Sequence, residues 1–198
     1  MVDSIVVKRL VRNLQYRLTY IKVFEEFVVQ DIHPMVIRLL NSLIETQRAS
    51  VVALSNYLRE LRFDTQDLPL YQKVLDQAAE RRGLSSRLRF IHYGLNRAVS
   101  WYKTQLTDRQ MTADPELKQL LLELGQREAA GLWRTEAVGA MLGLRLEPWS
   151  KDQSAAPDQS SDRGHDRSSR WTRNRRRPAW SGKQPTIWSR SARGGRGE

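Results

Sequence analysis

Two glutamates stand where helical apolar stripes call for hydrophobic side chains. Near the start of the chain, steps of four and three residues run through Val7, Val11, Leu14, Leu18 and Ile21 to position 25, where Glu25 replaces an apolar residue before Val28. Midway along the last helical pattern, Glu128 follows Leu124 by one turn. Between them in the sequence, Gln47 and Ser50 make the inward-facing i, i+3 pair of a second stripe. A buried carboxylate must accept hydrogen bonds, meet a cation or keep its proton. Glu25, Gln47, Ser50 and Glu128 therefore predict one buried polar layer. Its two carboxylates and two neutral groups suit either a weakly held divalent cation or a hydrogen-bonded cluster paired with Arg48, Arg127 or Lys22. As a hydrogen-bonded cluster, it predicts that glutamine at position 25 or 128 leaves stability nearly unchanged or raises it.

Other chemistry is scarce. His33, His92 and His165 have no ligand spacing between them, and with zero cysteines thiolate ligands and disulfides are excluded. No Gly-x-Gly-x-x-Gly, phosphate-cradling Gly-x-x-x-x-Gly-Lys loop or Gly-x-Ser-x-Gly elbow occurs, so no catalytic residue is assigned. Trp101, Tyr102 and Trp133 fall at helical positions and read as packing, and the arginines at 81, 82, 87 and 89 read as a solvated face.

From Pro148 to Glu198 the chain carries 12 Lys and Arg against 5 Asp and Glu, which is +7 of the net +11. This stretch has almost no aliphatic residues and reads as disordered. Trp171 and Trp180 alternate there with Arg170, Arg173, Arg175, Arg176 and Arg177. Guanidinium groups neutralise phosphates and indoles stack on unpaired bases, so nucleic acid or an anionic surface is a chemically reasonable partner. Residues 1–147 form a separate, mildly charged domain and 148–198 a basic tail. No window reaches the roughly 18 apolar residues of a membrane span, and the start lacks a signal peptide's pattern, so the expected location is cytoplasmic.

Four long elements must position the polar layer. The first helix is predicted from about Ser4 to Val29. A second, with Asp31 as N-cap and Pro34 in its first turn, passes through Val36, Leu40, Leu43, Leu54 and Leu58. A third runs from about Leu84 to Leu106, and Asp114-Pro115 opens a fourth that ends before Pro148. Residues 62–83 hold a short amphipathic helix ending at Gly83, which suits a C-cap. About 13 helical and nine extended residues cover roughly 50 Å, enough to travel the length of a bundle nearly 40 Å long. Short hairpin turns with one long connector predict that this segment runs along the bundle and that the first and third long helices are parallel.

In helix number, helix length and crossover position, residues 4–146 resemble the ferritin-like superfamily. The resemblance implies an all-α, ferritin-like four-helix bundle. Metal-binding members carry an inward Glu on the first and third long helices and Glu-x-x-His on the second and fourth. Residue by residue, Glu25 matches the first vertex. Gln47 and Ser50 stand at the second, Leu95 and Ala98 at the third, and Glu128 with Gly131 in place of histidine at the fourth. The resemblance thus implies a binding or assembly module with a decayed metal centre and no cofactor, acting as a homo-oligomer or with a protein partner. The alternatives are an iron or manganese oxidoreductase using Glu25 and Glu128, with ligands possible across a dimer, and a nucleic-acid binder acting through the tail.

Overall fold

Proline and aspartate set the starts of two long helices. Pro34 and Pro115 sit in first turns, where a missing N–H costs nothing. The Asp114 carboxylate accepts from the Glu116 N–H at 3.0 Å, which satisfies a donor that has no partner within the helix. The computed structural model describes residues 4–30 and 33–146. It comprises α1 (Ser4–Gln30), α2 (Pro34–Glu60), α3 (Gln72–Ala79), α4 (Gly83–Thr107), α5 (Arg109–Thr112) and α6 (Pro115–Met141). Among the described residues there is no strand. Position 31 and the tail assigned to 148–198, with its arginines and tryptophans, lie outside the described residues. The cap of α2 is His33, whose backbone is extended and whose side chain makes no capping bond.

Two helix ends share one solution to their unpaired carbonyls. After α6, Gly143 takes φ 69°, with its N–H on Ala140 O at 3.1 Å and the Leu144 N–H on Gly139 O at 2.8 Å. After α2 the same pair of bonds runs from Arg62 to Arg59 O and from Phe63 to Leu58 O. There the left-handed position, φ 61°, is held by an arginine. Gly83 does not cap α3, which ends at Ala79. Its φ of 73° instead turns the chain into α4.

Side-chain contacts fix the helix directions. The end of α1 packs on the start of α2 through Phe24, Phe27, Val36 and Leu40, and the start of α1 on the end of α2 through Leu10, Leu14, Leu54 and Leu58, so α2 returns antiparallel to α1. Gln30 accepts from Arg87 while Arg9 donates to Gln105 and Asp108, so α4 also runs antiparallel to α1. Tyr57 with Asp114 and Gln47 with Glu128 place α6 antiparallel to α2. The first and third long helices, α1 and α4, are thus antiparallel and not parallel as expected, while α2 and α4 share a direction. A connector as long as the bundle returns the chain to the end where α2 began, so the next helix repeats the direction of α2. The connector does follow the bundle. Pro69 O accepts from Gln15, the Tyr71 N–H donates to Thr19 Oγ1 at 3.1 Å, and the Tyr71 ring stacks on Tyr16 at 4.2 Å.

Around the bundle the order is α1, α2, α6, α4, which leaves α1 diagonal to α6. The core has two apolar halves. One gathers Phe24, Phe27, Leu40, Leu43, Leu88 and Ile91, and the other Leu10, Leu14, Leu54, Leu58, Leu121 and Leu124. The layer between them is polar.

Candidate functional site

The inward face of α1 lies to one side of the simple stripe. Its buried residues include Val6, Leu10, Leu14, Arg17, Val23, Phe24 and Phe27. The steps from Val7 to position 25 add up to five whole turns of helix, so Glu25 shares the face of Val7, Val11, Leu18 and Ile21. That face is only half-buried along its whole length, at the edge of the seam whose centre Leu10, Arg17 and Phe24 fill. Glu25 accordingly lies at the surface, its side chain 38% exposed, and accepts from Arg48 at 2.9 Å. It does not share the layer of Glu128.

Glu128 is 3% exposed and its partner is an arginine that the stripe does not pick out. Arg17 reaches across the diagonal from α1 to place Nη1 2.8 Å from Glu128 Oε1. The same Nη1 donates to Gln47 Oε1 at 2.7 Å, Nη2 donates to the Tyr102 hydroxyl, and Nε donates to Asn13 Oδ1 at 3.1 Å. Gln47 Nε2 donates to Glu128 at 2.9 Å, and the Tyr102 hydroxyl donates to Asn13 Oδ1 at 2.7 Å. Five side chains from four helices therefore close one hydrogen-bonded layer with a neutral sum of charge.

Of the residues expected in this layer, the structure brings together Gln47 and Glu128. Ser50 is buried but turns its hydroxyl back to Thr46 O at 2.8 Å, a bond within its own helix. Of the cations expected for the layer, Arg48 meets Glu25 at the surface, and Arg127 is half-buried with Nη2 3.9 Å from Glu123. Tyr102, read as packing, is a full member of the network. A basic residue at an inward position one turn from Leu14 was the available signal for Arg17.

Burial works against charge on Arg17, but attraction and hydrogen bonding to Tyr102 and Glu128 outweigh it and leave its pKa above the ordinary value. Burial pushes the Tyr102 hydroxyl up, more strongly than Arg17 and Asn13 pull it down. The phenol is thus neutral at pH 7, as its donation to Asn13 requires.

The residues do not fit the pair of cations that the alternative metal-dependent reading requires. The guanidinium of Arg17 already takes the bonds of Glu128 that a metal would use. At the imidazole position, a Cβ on Gly131 would stand 3.1 Å from Leu43 Cδ2 and 3.6 Å from Leu95 Cδ2. Leucine thus fills the room a ligand would need. Among the described residues no three His, Asp or Glu side chains group as metal ligands. His92 is buried in α4, with Nε2 3.0 Å from Glu136 of α6.

No protein-family model, curated protein or solved structure matches the chain. The layer itself must therefore carry the reading. It holds no nucleophile beside a base and no open coordination position. Its chemistry is that of a buried ion pair whose hydrogen bonds come from four helices. Among the described residues, no helix is long and apolar enough to cross a membrane.

Proposed function

We propose that this chain is a non-catalytic binding or assembly module on a ferritin-like bundle, with an internal ion pair where that superfamily's metal-binding members hold cations. The observation that carries the reading is the Arg17–Glu128 contact of 2.8 Å. It supplies one fixed positive charge from the protein itself, so the buried carboxylate has a counter-charge without a metal. The antiparallel pairing of α1 with α2 and α4, and a connector following α1, support the ferritin-like assignment.

The iron or manganese oxidoreductase needs Glu25 inside the bundle, and Glu25 pairs with Arg48 at the surface. Elemental analysis of the full chain after exposure to iron(II) or manganese(II) separates the two. We expect far less than one metal per chain, unchanged by Glu25→Gln. Near-stoichiometric metal removed by both Glu25→Gln and Glu128→Gln would establish the oxidoreductase instead. Nucleic-acid binding through the arginines at 170–177 predicts salt-sensitive retention of single-stranded DNA, and its absence would confine function to the bundle.

A further inference from the structure

A binding module needs a face to bind with, and one stretch of the bundle is built like one. The first half of α2 and the last half of α6 leave between them a groove of about 380 Å³, lined by Met35, Leu39, Trp133, Ala137, Val138 and Met141. Trp133 is 69% exposed and Met141 64%. An indole left in water beside a thioether is an apolar anchor with no partner inside the fold.

The polar groups on this groove have one sign. Arg134 lies in it and donates to the hydroxyls of Ser42 and Thr46 and to Ala130 O, all neutral. Arg38, also in the lining, is exposed and among the described residues makes no ion pair. Nearby carboxylates are engaged elsewhere, since Glu136 faces His92 and Glu45 faces Arg48. An apolar trough with two guanidiniums lacking carboxylates is complementary to a segment that is apolar on one side and acidic along its edge. The side-by-side walls of two antiparallel helices suit a helix laid between them.

We propose that the α2/α6 groove docks an acidic amphipathic helix of a partner protein, with Trp133 as the central anchor and Arg38 and Arg134 reading its carboxylates. The proposal rests on the binding-module reading and names the partner's chemistry. A second copy of this face would bring Arg38 and Arg134 against like charges. The chain's own residues 148–198 are strongly basic, so the same repulsion opposes them.

The test is selection of displayed amphipathic helical peptides on the full chain, scored again on Trp133→Ser and Arg38→Glu. Both positions are solvent-exposed, so the fold should be retained, and circular dichroism checks this. Selected peptides should be enriched in Asp and Glu beside their apolar face. They should lose at least about tenfold in affinity on Trp133→Ser, as expected of an aromatic anchor, and weaken on Arg38→Glu. The proposal is overturned if no binders emerge, if binders show no acidic enrichment, or if they bind both variants as well as the parent. It is equally overturned if Trp133→Ser abolishes self-association in sedimentation, or binding to phosphatidylserine vesicles, while leaving peptide affinity unchanged. Metal content measured on the same samples reports separately on the binding-module reading.

Discussion

Arg17 and Glu128 are 4% and 3% exposed, so neither charge can be removed without leaving the other stranded. Breaking such a pair costs about 3–5 kcal/mol, whereas replacing both partners by apolar groups is often neutral or better. Glu128→Leu should therefore destabilise by about 3–5 kcal/mol, and adding Arg17→Met should recover most of that in urea unfolding. The sequence alone led to the opposite expectation for Glu128→Gln, because Glu128 was legible as an interior carboxylate while its cation was not. With Arg17 present, glutamine also strands a buried charge and should destabilise. Glu25→Gln should change stability by less than about 1 kcal/mol, as for any solvated pair. Tyrosine ionisation gives an independent check on burial. Tyr102, Tyr20 and Tyr57 all have pKa values raised above 10.0, chiefly by burial. A group whose folded pKa is raised contributes fully below its unfolded value and loses that contribution as pH rises. Stability should thus hold to near pH 10 and then fall, with three of the tyrosines absorbing as phenolates only as the protein unfolds. Normal ionisation of all six in the folded protein would show that these hydroxyls are accessible.

Helices were the legible elements, because Leu88, Ile91, Leu95, Val99 and Tyr102 of α4 all fall on the buried face that their spacing predicts. What spacing does not convey is which residue closes an end. At the end of α2 an arginine holds a left-handed conformation, which disfavours L side chains by roughly 1–2 kcal/mol. Arg62→Gly should accordingly stabilise the protein by about 1 kcal/mol, read as a higher urea midpoint at unchanged slope. Gly131 shows the converse, a glycine retained for space. Placing an imidazole there by Gly131→His would drive a ring against Leu43 and Leu95, so we expect a loss of about 1–3 kcal/mol and no gain in metal binding.

At the scale of the whole molecule, the connector decides which helices share a direction. The sequence gives its length, and length alone is enough to say that residues 62–83 travel along the bundle. The direction that follows is geometric: a full-length return makes α4 repeat α2, and so oppose α1. Contacts at both ends of α1 carry this, with Gln30 beside Arg87 and Arg9 beside Asp108. The chain has no cysteine, so spin labels can be introduced in chosen pairs without background. Lys8, Val29 and Thr107 are all exposed, so labels there should leave the fold intact. Labels at Lys8 and Thr107 should lie near each other, because their neighbours Arg9 and Asp108 meet at 2.6 Å. Labels at Val29 and Thr107 should be separated by about 30 Å, the length of helix from Arg87 to Thr107 at 1.5 Å per residue. Parallel α1 and α4 would invert the two distances, making the Val29 pair short and the Lys8 pair long. That outcome would dismantle the bundle order on which the diagonal Arg17–Glu128 contact depends.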